Sequence, residues 1–183
     1  MRGTDQRHGI YTRQAMDNFT DDRIGTNLLL WSEDFTHAGW TARNVHTVTA
    51  DQINAPNGTL TADLVTVTGA TVTANQGVFA EGGTVNGPYI FSLHLLAGTT
   101  ITAVRIMIKD RATDTIRGTT IVPVTSKWTR GVVTATTQGA TPGFRVEIQA
   151  DTPTGTFYLW GGDVKLGWSY TSYVPTQGTI QSR

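Results

Sequence analysis

Recognition of a sugar needs a flat π surface for the C–H face of a pyranose ring, with polar groups beside it for the hydroxyls. Trp168, Tyr170 and Tyr173 lie close together after the Gly161-Gly162 pair and form the candidate glycan-binding set. Trp31, Trp40 and Trp160 read as core aromatics. Aromatic residues of this kind equally fill subunit interfaces.

Arrangements for catalysis are thinner. Glycoside hydrolysis needs two carboxylates flanking one bond. The glutamates are Glu33, Glu81 and Glu147, and the aspartates are scattered. Glu33 and Asp34 are adjacent, so in an extended chain they point to opposite sides. Glu147 falls on the polar face of an alternating segment and reads as a solvated side chain. The histidines His8, His37, His46 and His94 show no helical metal-pair spacing. There is no Gly-x-Ser-x-Gly elbow and no phosphate-binding loop. Cysteine is absent, which removes disulfides, thiol catalysis and Cys-based metal sites. Asp51, Asp63 and Asp163 are loose candidates for a calcium ion of the kind that β-sandwich modules hold, and no spacing supports them. The expectation is a protein that is not an enzyme, with no metal and no cofactor.

The elements that would carry these residues are strands. Charged residues make up only 15% of the 183, below the usual share of about a quarter. Thr is the commonest residue type, and Thr and Val favour pleated, half-buried surfaces because β-branching stiffens χ1. Phe144, Val146, Ile148 and Ala150 alternate with Arg145, Glu147 and Gln149, a period of two that predicts a strand. Tyr89 to Leu95, Ile101 to Ile108, Arg117 to Val122, Trp128 to Thr136 and Phe157 to Trp160 continue the series. Leu60 to Thr68 and, more weakly, Val45 to Thr49 join it. Turn signals stand between them at Pro56-Asn57-Gly58, Gly82-Gly83, Ala97-Gly98, Pro142-Gly143 and Gly161-Gly162. The Gly/Ala/Thr-rich stretch Thr68 to Gly87 reads as a long loop or irregular edge. Many short strands at this spacing predict an all-β sandwich or jelly roll over residues 27–183.

Residues 1–26 differ. Arg2, Asp5, Arg7, Arg13, Asp17, Asp21, Asp22 and Arg23 crowd charge into a segment with few apolar residues. Such a segment buries too little apolar surface to fold alone. It reads either as a frayed terminus or as an extended N-terminal arm that orders on a partner, with Tyr11, Met16 and Phe19 as anchors and Arg7, Arg13 and Arg23 as charged contacts. Lys and Arg together number 14, as do Asp and Glu, and no basic cluster follows Asn27, so a nucleic-acid partner is not expected. No apolar run reaches a membrane span or the core of a signal peptide, so the chain is expected to be made in a cytoplasm and to have no membrane partner.

An ordered set of short motifs carries a family resemblance. Asn27-Leu28-Leu29 leads into Trp31-Ser32-Glu33-Asp34-Phe35 and Trp40, and Ala55-Pro56-Asn57-Gly58-Thr59 is followed by Ala62-Asp63. Tyr89-Ile90-Phe91-Ser92, Ala97-Gly98-Thr99 and Trp128-Thr129-Arg130 come next. Phe157-Tyr158-Leu159-Trp160-Gly161-Gly162 and Thr171-Ser172-Tyr173-Val174-Pro175-Thr176 complete it. Over about residues 27–177 the chain resembles the carbohydrate-binding-module-like jelly roll of bacteriophage head-decoration, head-fibre and tail-fibre proteins. The resemblance implies that Leu28, Leu30, Trp31 and Phe35 seat the opening strand on the core, that Asn57-Gly58 makes a tight turn, and that Arg130 can pair with an aspartate. Where relatives often carry Gln and Glu after the Trp-Gly pair, this chain has Asp163 and Lys165.

The implied protein is a non-enzymatic virion component on the capsid exterior. One role is a capsid decoration, or cement, protein: a homotrimer whose arm grips the major capsid protein. The other is a glycan-binding receptor module of a fibre or spike, with a cell-surface glycan as its partner.

Overall fold

A computed structural model describes residues 25–43, 45–69, 77–169 and 171–182. The arm residues Arg7, Tyr11, Arg13, Met16, Phe19 and Arg23, and the candidate Tyr170, lie outside the described residues. Ten strands run in chain order: β1 Thr41–Ala42, β2 His46–Asn54, β3 Leu60–Val67, β4 Val78–Gly82, β5 Pro88–Ala97, β6 Ala103–Asp110, β7 Ile116–Pro123, β8 Thr129–Thr136, β9 Phe144–Ala150 and β10 Gly155–Leu166. They form two five-stranded antiparallel sheets, ordered β1-β4-β9-β6-β7 and β2-β3-β10-β5-β8. This is the all-β jelly-roll sandwich that the strand pattern predicts.

Alternation builds the core. Phe91, Leu93 and Leu95 of β5 and Leu159 and Val164 of β10 face Ile106 and Ile108 of β6 and Val146 and Ile148 of β9 across the sandwich, all without solvent exposure. Every second residue of each strand therefore points away from the core.

Several features depart from the sequence reading. The stretch Thr68 to Gly87, read as a long loop or irregular edge, contains strand β4, which pairs with β9. Gly161-Gly162, read as a turn, lies inside β10 as a bulge between Trp160, opposite His94, and Asp163, opposite Ser92. Gly161 has φ 67°, the left-handed conformation that a glycine adopts without a Cβ penalty. The extra residue restores the alternation, so Asp163 and Lys165 stay on the outer face with Trp160. Without it both would turn into the core. Third, Leu29 and Phe35 seat the opening segment, while Leu30 is 47% exposed and Leu28 and Trp31 only flank the core.

Glu147 is the sharpest correction. It does project from the polar side of β9, but it is wholly buried and accepts a 2.7 Å hydrogen bond from Lys109 Nζ, itself 1% exposed. Its neighbours on that face, Gln149 and Met107, are buried as well. Arg145 pairs there with Glu81 and Asp114, and the Arg43 guanidinium lies 4.0 Å over the Phe79 ring.

Candidate functional site

The outer face of the second sheet carries a polar network under a cover of chain. Lys165 Nζ donates to Asp163 at 2.9 Å, to Thr171 Oγ1 at 2.6 Å and to the Ser172 carbonyl at 2.7 Å. Arg130 lies 3.8 Å from Asp163 and donates to Ser92 Oγ, which gives Arg130 the aspartate partner that the resemblance implies. Burial raises the Asp163 pKa above the carboxylate range, opposed by the Lys165 ammonium. His94 packs on Trp160 at 5.5 Å, and burial, with the Arg130 charge beside it, pushes its pKa down to about 4.

His94 is therefore neutral in the folded protein at neutral pH. A base whose folded pKa lies below its unfolded value contributes stability that is full above pH 6.5 and is lost as pH falls toward 4. Replacing His94 by Gln is expected to remove that part of the acid sensitivity. The check compares urea midpoints of both proteins at neutral and at acid pH. Equal losses on acidification would refute it.

The two ends of the domain run together across this face. Asn27 bridges to Gln181 and Trp31 to Gln177. Tyr173 packs at a tilt against Trp160 at 4.8 Å, donates to Glu33 Oε1 at 2.9 Å and shares a 2.8 Å hydrogen bond with Ser32 Oγ. Its burial raises its pKa. Trp128, Ile53, Ala55 and Ala62 complete this small second core.

Beside it opens a cavity of about 920 Å³. Its walls are the loop after Asn27 (Trp31, Glu33, Asp34, Thr36), the bulge of β2 (Ala50, Asp51), β3 (Thr61, Asp63) and the closing segment (Thr176, Gln177, Gln181). Asp63 sits at the joint. Its Oδ2 accepts from the Phe35 N–H at 2.8 Å and its Oδ1 from the Asp51 N–H at 3.1 Å. Asp51 reaches that position because β2 bulges between Thr49 and Ile53 and Asp51 takes φ 56°, a conformation that aspartate tolerates better than most residues. Burial, with the Asp34 and Asp51 charges nearby, pushes the Asp63 pKa up to about 6 despite its two N–H donors. The Trp31 ring is sandwiched: His37 stacks at 3.7 Å, and Gly178 lies against it where a Cβ would come within 3.2 Å.

The sequence-level candidates fall apart in space. Trp168 is 64% exposed and is not among the cavity's lining residues. Tyr173 is half-buried in the second core, one residue before the cavity wall begins at Val174. Asp51 and Asp63 share the cavity, whereas Asp163 is paired elsewhere, and among the described residues no three His, Asp or Glu side chains are placed to hold a metal ion. The cavity as a whole was missed. The one readable signal was the clustering of Glu33, Asp34 and Asp63 within the motifs that carry the resemblance.

No family model matches the sequence, and no curated protein does. Solved structures match the fold. A xylan-binding domain of a Paenibacillus barcinonensis xylanase superposes with a TM-score of 0.55 at 14% identity, covering 78% of this chain and 93% of that one. The C-terminal family 22 carbohydrate-binding module of a Clostridium thermocellum xylanase gives 0.57 at 15%, covering 81% and 98%. A longer Clostridium thermocellum xylanase fragment, which joins such a module to a catalytic module and is complexed with xylohexaose, gives 0.52 at 18%, covering 82% of this chain and 30% of that one. The chain thus spans about a third of that fragment and nearly all of the isolated modules. Its fold is the carbohydrate-binding-module jelly roll.

Proposed function

We propose that the protein is a non-catalytic glycan-binding module and that the cavity between the two chain ends is its ligand site. One observation carries this: a 920 Å³ cavity lined by carboxylate, amide and hydroxyl side chains, on a sandwich of the carbohydrate-binding-module type. Planar Asp, Glu and Gln groups accept or donate paired hydrogen bonds to neighbouring sugar hydroxyls. The buried outer face at Lys109 and Glu147 offers no comparable access. A virion fibre or spike is the proposed setting, on the strength of the sequence resemblance. The capsid-decoration role depends on the arm, outside the described residues, and the structural neighbours lend it no support.

A glycan array followed by calorimetry tests the reading. Substituting both Glu33 and Asp51 by Ala is expected to weaken binding at least about tenfold, the loss of one good charge-assisted hydrogen bond. Trp168→Ala is expected to leave affinity intact and to shift stability by less than about 0.5 kcal/mol, as for other exposed side chains. The opposite pattern would move the site to the Trp168 surface.

A further inference from the structure

The second core meets the cavity through two aromatic side chains with polar ends. Tyr173 and Trp160 pack against each other, and each sends its one polar hydrogen to a residue of the cavity wall. The Tyr173 hydroxyl donates to Glu33 Oε1 at 2.9 Å, and Trp160 Nε1 donates to Thr61 Oγ1 at 3.1 Å. Buried Tyr and Trp need such partners, and here both partners line the same cavity. The rings are confined. Trp160 is 4% exposed, and the bulge of β10 closes on Tyr173, so that a Cβ on Gly161 would lie 3.5 Å from its ring.

The direction of each proton follows from the partners. A carboxylate only accepts, so the Tyr173 proton goes to Glu33. Ser32 Oγ accepts from the Thr176 N–H at 2.7 Å. Its own proton has the Tyr173 oxygen at 2.8 Å and the Thr176 carbonyl at 3.3 Å as acceptors, and the shorter contact favours Tyr173. A relay thus runs from the backbone of the closing segment through Ser32 and Tyr173 to Glu33, each bond polarising the next. Burial, opposed by the Ser32 hydrogen bond and reinforced by the Glu33 charge, raises the Tyr173 pKa, so the phenol stays a donor. On the other arm, Asn57 Oδ1 accepts from both the N–H and the hydroxyl of Thr59. The proton between Thr59 and Thr61, whose hydroxyls lie 2.8 Å apart, therefore comes from Thr61. Thr61 Oγ1 receives the indole proton, gives away its own and keeps one lone pair. At Glu33 and at Thr61 alike, what remains to offer is an acceptor.

On the reading that this cavity binds glycans, we infer that Tyr173 and Trp160 are its positioning residues: from behind the wall they fix Glu33 and Thr61 as acceptors, and the sugar donates a free hydroxyl to each. Tyr173 thus serves recognition through Glu33 and not as a stacking surface. A sugar whose hydroxyls at these two places carry no proton leaves both acceptors unpaired and binds weakly.

The test is calorimetric titration of the whole chain. The probe is the tightest binder among unmodified β-linked hexasaccharides of xylose, glucose, mannose and N-acetylglucosamine, or a glycan-array member that binds more tightly than these. Tyr173→Phe keeps the ring and removes the hydroxyl. It is expected to weaken binding about tenfold, the worth of one charge-assisted hydrogen bond, and to cost nothing further once Glu33 is replaced by Ala. Unchanged affinity of Tyr173→Phe would overturn the inference. So would an equal loss with and without Glu33, the mark of a merely structural tyrosine. A second measurement stands even if Tyr173→Phe does not fold. Deoxyfluoro forms of the probe replace one hydroxyl at a time and remove the donor at nearly the same size. The unaltered protein is expected to lose about tenfold in affinity at one hydroxyl whose loss vanishes in Glu33→Ala, and measurably at another whose loss vanishes in Thr61→Val. Deoxyfluoro forms that all bind like the parent sugar would overturn the inference and leave the glycan reading standing. Failure of every sugar on a full glycan array would overturn both.

Discussion

Replacing Lys109 by methionine is expected to destabilise the fold by about 3–5 kcal/mol, a large share of the roughly 5–15 kcal/mol that holds a domain of this kind together. Lys109 and Glu147 are 1% and 0% exposed and stand 2.7 Å apart on adjacent strands of the first sheet. Removing the ammonium takes away the cation that faces this buried carboxylate. Its other oxygen, Oε1, already has no hydrogen-bond partner. The charge must then be abandoned by protonation or hydrated by local opening, and either route is expensive. The pair itself need not be strongly favourable, because its Coulomb attraction is set against the desolvation of two ions. The double variant K109M/E147M is therefore expected to recover most of the loss. Urea denaturation of the wild type, both single variants and the double variant gives the coupling directly. A single-variant loss below about 1 kcal/mol would mean that water reaches the pair and that the face is open.

Asn27→Ala is expected to be of similar size. The Asn27 side chain has no exposure and makes four hydrogen bonds: Nδ2 donates to the Gly162 and Val174 carbonyls, while Oδ1 accepts from the Leu29 and Val164 N–H groups. One amide thus ties the opening segment, the bulge of β10 and the closing segment together. Alanine strands two donors and two acceptors, each at about 1–3 kcal/mol where water cannot reach. A total of about 4 kcal/mol follows if half of these groups find water. Asn27→Asp fares no better, because it removes both donors and buries a charge. Thermal melts report the loss, and hydrogen exchange locates it. Protection is expected to fall first at Leu28, whose N–H bonds to the Val164 carbonyl, and at Ser32 and Gly178, whose N–H groups bond across the two chain ends. A uniform loss across the whole sandwich would show that the ends do not open separately.

Both sites bear on the proposed function. The cavity stands on the strap that Asn27 secures, so ligand affinity is expected to follow the integrity of the strap even though Asn27 does not line the cavity. The Lys109–Glu147 pair lies on the other sheet, and its variants serve as stability controls for binding experiments.

The strands were readable because their information is local. Phe144 to Ala150 alternates in sequence and forms β9, and the flanking Gly and Pro residues end the strands about where the turns fall. Binary alternation tells which residues share a face. It does not tell what lies over that face. Glu147 alternates as a solvated residue would and is nonetheless buried, because burial depends on distant chain. The same limit explains Gly161-Gly162. A diglycine marks freedom from the Cβ clash, and a bulge uses that freedom as readily as a turn does. Only the pairing of Trp160 with His94 and of Asp163 with Ser92 decides between them.

From the sequence alone came the all-β class, the run of strands and the motifs at both ends of the domain, since period and turn chemistry act between near neighbours. The tertiary structure decided the site. Glu33, Asp51, Asp63 and Thr176 come from four separate stretches of chain, and they share one cavity because a bulge brings Asp51 beside Asp63, Asp63 caps two backbone N–H groups and the closing segment pairs with the opening one. Those contacts reach from Asn27 to Gln181, and no local pattern encodes them.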